Sequence, residues 1–375
     1  MARKNPPGPW TVRLEIAPGL EDVLLEEIEE LGVREARKDT GGVEARMDAA
    51  TLLYVQHNSR IASRATIRLA RVQAPSLQGL ADRLRKLPWK LYAVPHQPLQ
   101  IDVSSTKSKL RHRSTTSSKV ELAIGDALKG PRLPSSKRPP REPLRVGVRI
   151  ENDMADIRID ASGELLHRRG WRKDPGRAPL RENLAVAILR ASGWRPGEPL
   201  VDPMTGSGTF AVEAALWTLG RAPAAHRELA CERWPCWQGV SRKQPPRTAD
   251  PGAVILATDR DARTIARART NAARARVDAR VRMEQVQLSD LEPPAERGLV
   301  VMNPPWGDRL GDPSHARVLH TRWRDHLRTS WPGWRVAVLV PDEGWASSVW
   351  RPDARSVAEF SSGGTKVRTW LYEPS

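Results

Sequence analysis

Apolar and polar positions divide the first 70 residues into alternating strands and helices. Apolar and polar types alternate through residues 11–16, which predicts a half-buried strand. Apolar residues in 20–31 recur at helical spacing, and Gly32 is expected to end this helix. The same criteria predict a strand over 42–47, a helix over 51–58 and a strand over 66–72. Residues 1–70 are therefore predicted to form a small α+β domain.

A second unit, which also combines strand-like alternation with helical spacing of apolar residues, is predicted over 71–165. Its elements are a helix over 77–87, a strand over 99–103, a helix over 118–128, and hairpin strands over 146–150 and 157–159. The hairpin is expected to turn at Asn152 and Asp153. Residues 131–143 are rich in proline and basic side chains, so they are predicted to be a loop.

From about residue 176 the pattern changes to strands that alternate with helices, which is typical of a parallel α/β sheet. The predicted helices cover 184–191, 209–219 and 262–275, and the predicted strands cover 200–201, 254–258, 299–302 and 336–340. Residues 220–252 have no clear period and are predicted to be a long connection. The third domain, over 166–375, is therefore predicted to be built on a parallel sheet.

Composition places the chain among soluble globular proteins. Its 375 residues are 39% hydrophobic and 28% charged, and no segment approaches the ~18 apolar residues of a membrane span. The basic N-terminal stretch lacks the apolar segment of a secretory signal, so a cytoplasmic location without membrane contact is expected. Two cysteines, Cys231 and Cys236, make neither a disulfide framework nor a complete zinc site. No metal and no obligate protein partner are expected.

The net charge of +17 indicates a polyanionic partner, because lysine and arginine release counterions from phosphates. An arginine-rich genome would scatter the excess evenly, but here it is clustered. The stretch 103–120 has no acidic residue and holds five cations, Lys107, Lys109, Arg111, Arg113 and Lys119. Further basic stretches cover 129–149 and 168–173. This clustering favours a nucleic acid as the partner.

A turn of small residues follows the strand that ends at Asp202, with the sequence D-P-M-T-G-S-G-T over 202–209. Glycines let the backbone approach a ligand closely, and the next helix offers free N–H groups at its N-terminus. The spacing is neither that of a P-loop nor that of the dinucleotide motif. An acid before such a turn suits a ligand that carries a cationic amine and a carboxylate. The candidate cofactor-binding residues here are Asp202, Pro203, Thr205, Gly206, Ser207 and Gly208.

Further acids are predicted at the same edge of the sheet. Asp259 ends a strand about fifty residues after the glycine turn, where an acid can bind ribose hydroxyls. Asp261 is instead expected to cap the helix that follows. Asp290 stands where a third strand would end, and it is either a contact to an adenine amino group or an ordinary loop acid.

The segment V-V-M-N-P-P-W-G, 300–307, ends a strand with two prolines, which lack the N–H groups that a sheet needs. The Asn303 side-chain oxygen and the Pro304 carbonyl can together accept both hydrogens of a planar –NH₂ group. This turns the nitrogen lone pair toward an electrophile. Pro304 and Pro305 stiffen the backbone, and Trp306 offers a face for a base taken out of its stack. The segment therefore predicts methylation of an exocyclic amine.

The glycine turn, the acid in A-T-D-R-D and the N-P-P-W-G segment together resemble S-adenosylmethionine-dependent amino methyltransferases with a Rossmann-like fold. More narrowly, segments 157–209 and 107–128 are similar to the THUMP-containing RNA guanine-N2 methyltransferases. The resemblance implies a ferredoxin-like domain over 1–70, a THUMP RNA-binding domain over 71–165 and a Rossmann-fold methyltransferase domain over 166–375. It also implies S-adenosylmethionine as cofactor, rRNA or tRNA as substrate, and Glu182 or Asn183 closing over the cofactor.

The sequence departs from this family at three points. Trp306 stands where the family usually has Tyr or Phe, and Thr205 stands where the close rRNA enzymes have Cys. The larger bacterial rRNA enzyme carries a second methyltransferase domain, and none is expected within these 375 residues. Two alternatives remain open at this stage. DNA adenine-N6 methyltransferases share the N-P-P-W segment, although the N-terminal 165 residues resemble an RNA-binding attachment. The other alternative is an RNA-binding assembly factor with an inactive methyltransferase domain.

Overall fold

A computed structural model describes residues 8–129, 142–173, 180–224, 226–237, 239–242, 252–305 and 313–374. The elements of the N-terminal half are β1 (Trp10–Glu15), α1 (Glu21–Glu30), β2 (Arg37–Asp39), β3 (Gly42–Met47), α2 (Ala49–Asn58), β4 (Arg64–Gln73), α3 (Leu77–Arg85), β5 (Leu99–Thr106), α4 (Arg113–Ala127), β6 (Leu144–Glu151) and β7 (Met154–Asp160). Those of the C-terminal half are α5 (Glu182–Ala191), β8 (Leu200–Asp202), α6 (Thr209–Thr218), β9 (Ile255–Asp259), α7 (Ala262–Arg274), β10 (Arg282–Gln285), β11 (Gly298–Met302), α8 (Pro313–Ser330), β12 (Trp334–Pro341), α9 (Trp345–Trp350), β13 (Ala354–Ser362) and β14 (Thr365–Tyr372). Within the described ranges, no helix is long and apolar enough to cross a membrane.

The N-terminal half forms one mixed sheet in the order β2-β3-β1-β4-β7-β6-β5. Val12 and Leu14 of β1 are fully buried, whereas Arg13 and Glu15 line the open polar face, so the predicted alternation sets which face is covered. Strand β4 pairs with β7 in antiparallel register, and the units predicted over 1–70 and 71–165 therefore share one sheet. The boundary between them as domains, and the assignment of the second as THUMP, stay predictions.

The C-terminal half forms a second sheet in the order β10-β9-β8-β11-β12-β14-β13. The five neighbouring strands β10, β9, β8, β11 and β12 are parallel to one another. Strand β14 pairs with β12 in antiparallel register. The chain runs outward from β8 to β10 and then returns to the other side of β8 as β11. Ligands of such sheets bind where the strand order reverses, outside the carboxyl ends of the strands. That point lies between β8 and β11.

Helix α5 joins the two halves, and its residues from Glu182 to Arg190 are all buried. The Arg190 guanidinium donates to both carboxylate oxygens of Glu30 on α1, at 2.8 and 2.5 Å. From the other side, Arg60 Nη2 donates to the backbone oxygen of Leu216 on α6 at 3.2 Å. These buried cations tie the two sheets together through charge-assisted hydrogen bonds.

Several elements differ from the sequence-based expectation. Helix α4 begins at Arg113, five residues before the predicted start, so two of the five clustered cations lie on a helix. Its first turn is rich in Ser and Thr, which are weak helix formers, and Thr116 bonds back to the His112 oxygen. Strand β10, helices α8 and α9, and the β13–β14 hairpin were not predicted. Residues 131–141 of the predicted loop lie outside the described residues.

Candidate active site

The turn after β8 is held by backbone hydrogen bonds and needs a glycine at its end. Thr205 N donates to the Thr258 oxygen at 2.9 Å, and Gly208 N donates to the Thr205 oxygen at 2.8 Å. Gly208 has φ +83°, and a Cβ at this position would lie 3.3 Å from the Cβ of Ala268 on α7. The last glycine therefore serves backbone conformation and helix packing. Gly206, also at positive φ, faces open space.

The glycine turn and the tip of β9 meet directly. Gly206 N donates to Asp259 Oδ2 at 3.2 Å, and Asp261 N donates to Asp259 Oδ1 at 3.1 Å. Pro203, Gly206 and Asp259 line one cavity of about 670 Å³ at the carboxyl edge of the sheet. Two candidates 53 residues apart, one in the turn after β8 and one at the end of β9, are thus brought to one site.

Asp202 precedes the cavity-lining Pro203 and is itself only 1% exposed. Burial raises the pKa of its carboxyl to about 7, and the negative charge of Asp259 adds to the effect. The amide of Met204 donates to Asp202 Oδ1 at 3.3 Å, which holds the carboxyl against the turn. Asp202 therefore supports the turn from within, while its neighbours Pro203 and Met204 line the cavity.

Strand β11 brings the Asn-Pro-Pro segment to the same cavity. Asn303 and Pro305 line it, and Pro304 is buried between them. Helix α8 also lines the cavity, through Leu319, Arg322, Trp323 and His326. The two prolines end the strand, as predicted. Trp306 lies outside the described residues.

The expectation that Asp290 ends a third strand was wrong. Strand β10 ends at Gln285, and Asp290 lies in the short 3₁₀ turn Leu288–Asp290. Its exposed carboxylate accepts from Gln287 Nε2 at 2.6 Å and from Ser289 Oγ at 3.0 Å. Gln287 and Ser289 line the cavity, so this turn forms its wall. A contact between Asp290 and adenine stays a prediction.

Glu182 and Asn183 begin α5, and both are buried. Asn183 Nδ2 donates to the Ile61 oxygen at 3.0 Å, which directs the amide toward the N-terminal sheet. Glu182 lies 3.4 Å from the Arg172 guanidinium, and burial raises the pKa of its carboxyl despite that cation. Neither residue is among those that line the cavity in the described part of the chain. That one of them closes over the cofactor stays a prediction.

The capping role expected of Asp261 is confirmed. Its carboxylate accepts from Arg263 N at 2.9 Å and from Thr264 Oγ1 at 3.1 Å, at the first turn of α7. These bonds lower the pKa of the carboxyl. Asp261 also lines the cavity, so the cap stands beside the site.

Sequence reasoning missed two residues that hold the glycine turn. Asn271 of α7 is fully buried, and its Nδ2 donates to the Ser207 oxygen at 3.0 Å. Arg172 Nη2 donates to Thr209 Oγ1 at 2.9 Å. A signal for Asn271 was present, because it is a polar residue on the buried helical stripe that contains Ala268. Arg172 carried no comparable signal.

The predicted basic cluster lies on the N-terminal half. Four of its side chains are exposed and Lys119 is half-buried, and the described part of the chain places no carboxylate within 4.0 Å of any of them. Lys107 has φ +48°, and the backbone amide of Lys109 is fixed by Asp153 Oδ1 at 2.8 Å. The bond to Asp153 therefore fixes the backbone of this loop, while its cationic side chains remain exposed to a ligand.

The sheet order, the glycine turn, the acid at the tip of β9 and the Asn-Pro-Pro segment together define a methyltransferase with a Rossmann-like fold. Comparison with known families agrees. Residues 169–364 match the RMKL-like methyltransferase domain, and residues 14–65 match the RlmL ferredoxin-like domain. The chain belongs to the RMKL-like methyltransferase family. The expected fold class and the dependence on S-adenosylmethionine are confirmed.

Three relatives illustrate the similarity. A Synechocystis protein named "Putative RNA methyltransferase slr0064" is 31% identical over 96% of this chain and 95% of its own length. Ribosomal RNA large subunit methyltransferase K/L of Cellvibrio japonicus is 35% identical over 86% of this chain, but the match spans only 46% of that relative. The crystal structure of SMU.472 complexed with SAH superposes with a TM-score of 0.84, at 26% identity over 98% of both chains.

Proposed function

We propose that this chain is an RNA methyltransferase that forms N2-methylguanosine in rRNA or tRNA. One observation carries the proposal. Asn303 and Pro305, at the end of β11, line the same cavity as Gly206 and Asp259. An amine held by the Asn-Pro-Pro segment would therefore lie beside the group held by the glycine turn, as methyl transfer requires.

The donors and acceptors of the cavity suit S-adenosylmethionine, which supplies a methyl group on a sulfonium. Each carboxylate oxygen of Asp259 accepts one hydrogen bond from a backbone amide. The remaining lone pairs of these oxygens are available to ribose hydroxyls. The open space at Gly206 allows a close approach to the backbone. Asp202 and the turn around it would face the amino-acid end, and Asp290 the adenine.

The Asn303 oxygen and the Pro304 carbonyl would accept the two hydrogens of the guanine 2-amino group. Holding both hydrogens in this way takes the lone pair out of conjugation and directs it at the methyl group. No strong general base is needed, because the proton can leave the nitrogen after the methyl group arrives. Trp306 would stack on the guanine once it leaves its neighbours in the RNA.

RNA as the substrate is supported by the unpaired basic cluster and by the relatives. Lys107, Lys109, Arg111 and Arg113 are exposed on the N-terminal half, apart from the cavity. Cations in that position suit phosphate contacts that orient RNA while the other half reads the base. The K/L relatives are named for large-subunit rRNA, and the chain spans about half of their length.

The test is mass-spectrometric nucleoside analysis of separated rRNA and tRNA from a deletion strain. N2-methylguanosine should disappear from one of the two fractions and return with the wild-type gene. Transfer of a labelled methyl group to a short RNA should then fail when inosine, which lacks the 2-amino group, replaces the target guanosine. Loss of N6-methyladenine from DNA would instead establish the DNA alternative, and unchanged nucleosides would favour an assembly factor.

A further inference from the structure

A fully buried histidine of α8 contacts the segment that would hold the target amine. His320 is 0% exposed, and its Nε2 lies 3.0 Å from the Pro305 oxygen. On the other side of the ring, Nδ1 lies 3.0 Å from Trp350 Nε1 of α9. A three-residue chain thus runs from Trp350 through His320 to the carbonyl of Pro305.

The partners of the ring fix its tautomer. An indole N–H can only donate, so Nδ1 of His320 must accept and carries no hydrogen. The neutral ring then carries its hydrogen on Nε2, where it donates to the Pro305 oxygen. Burial lowers the pKa of His320, which favours this neutral form. The rings of Trp323 and Trp345 pack at 5.0 and 4.8 Å from the imidazole and hold its plane.

Pro304 and Pro305 explain why such a donor is needed. Neither residue has a backbone N–H, so the pair can form backbone hydrogen bonds only through its two carbonyl oxygens. The proposed function assigns the Pro304 oxygen to the amine of the target base. The Pro305 oxygen is then the only backbone group of the pair left to fix its position by a hydrogen bond, and it needs a donor from another element. His320 is that donor.

We propose that His320, oriented by Trp350, is a positioning residue that fixes the Asn-Pro-Pro segment in its reactive geometry. This inference rests on the proposed function, because it assumes that Asn303 and Pro304 hold the reacting amine. His320 itself touches neither the base nor the cofactor in this scheme. A misplacement of the reacting groups by about 1 Å can lower a rate by roughly 100-fold.

The first arm of the test compares two substitutions of the same residue. His320→Gln keeps one acceptor toward Trp350 and one donor toward Pro305, whereas His320→Phe fills the space with neither. We expect His320→Phe to lower kcat by about 10- to 100-fold, with KM for RNA and Kd for S-adenosylmethionine unchanged. His320→Gln should recover most of kcat. Equal losses in both variants, or wild-type kcat in His320→Phe, would refute the positioning role.

The second arm does not depend on catalysis or on the folding of the Phe variant. Nitrogen-15 NMR of labelled wild-type protein should show His320 neutral, with its hydrogen on Nε2, and a hydrogen-bonded Trp350 indole that Trp350→Phe identifies by its loss. An imidazole with hydrogen on Nδ1, or a protonated ring at neutral pH, would overturn the inference. If the tautomer is as expected but guanine is not the methylated base, the proposed function fails and the backbone anchor stands.

Discussion

The amide of Gly206 donates to Oδ2 of Asp259 at 3.2 Å, which joins the turn after β8 to the tip of β9. Because Asp261 N occupies Oδ1 at 3.1 Å, the carboxylate is fixed before any ligand binds. A fixed acceptor loses little conformational freedom on binding, so it contributes more of its interaction energy to affinity. Asp259 therefore holds the turn after β8 in place and also offers hydrogen-bond acceptors to a ligand in the cavity.

Asp259→Ala should weaken binding of S-adenosylmethionine by roughly 1–3 kcal/mol, the cost of leaving ribose hydroxyls unpaired. Titration calorimetry on the full chain measures this directly. Glu284→Ala is a suitable control, since this acid of β10 pairs with Arg282 and does not line the cavity. Unchanged affinity in Asp259→Ala would discard the ribose role.

Cofactor binding and catalysis should separate at Asn303. Asn303→Ala removes one acceptor for the amine but leaves the glycine turn and Asp259 intact. We therefore expect wild-type cofactor affinity by calorimetry and loss of methyl transfer to RNA in a labelled-donor assay. A variant with near-normal turnover would contradict the amine-holding mechanism.

Trp306→Ala should lose base stacking worth about 1–3 kcal/mol, and Trp306→Tyr should be tolerated, because both aromatic rings offer a stacking face. The measurement is kcat/KM with RNA substrate, with cofactor affinity as the internal control. A Tyr variant as impaired as the Ala variant would show that the indole does something other than stack.

Stability should depend on pH through Asp202. Burial raises the pKa of its carboxyl in the folded protein to about 7 from the ordinary 3.8, so the folded state binds more protons than the unfolded state between these values. The free energy of unfolding should therefore fall as pH rises from about 4 to about 7, by up to roughly 4 kcal/mol. Asp202→Asn should remove this fall.

Urea unfolding of wild type and Asp202→Asn at pH 5 and pH 8 tests this expectation without a cofactor. The variant should gain stability relative to wild type at the higher pH, because no buried charge forms. Asp278→Asn, at an exposed acid of the short 3₁₀ helix Asp278–Arg280, is the matched control. A constant difference between wild type and Asp202→Asn at both pH values would show that Asp202 is ionised throughout.

The basic cluster should govern the salt dependence of RNA binding. Neutralising Lys107, Lys109, Arg111 and Arg113 should weaken binding and flatten the plot of log affinity against log salt, by up to ~0.9 per lost duplex-phosphate contact. Cofactor affinity should not change. The control neutralises four exposed cations elsewhere, Arg34, Arg37, Arg274 and Arg276. Equal slopes for wild type and the cluster variant would move the RNA contact to 129–149 or to Arg168 and Lys173, the exposed cations of 168–173.

The sequence by itself determined the local elements of the site. Period-two and period-3.6 patterns predicted β1 and α7 to within a few residues, because one buried face imposes its period on each. Strand β11 is buried on both faces, and a short continuous apolar run predicted it instead. Glycines at positive φ and consecutive prolines mark backbone geometry that few other residues allow. The turn after β8 and the Asn-Pro-Pro segment were therefore visible before any contact was known.

Only the tertiary structure decided which of these pieces meet. The bond between Gly206 and Asp259 joins residues 53 positions apart, and the pairing of β4 with β7 merges two units that looked separate. His320 escaped prediction because its helix was not recognised and its partners, Pro305 and Trp350, lie 15 and 30 residues away along the chain. The role of such a residue depends on partners that only the folded chain brings close. No periodic pattern in the sequence can therefore reveal it.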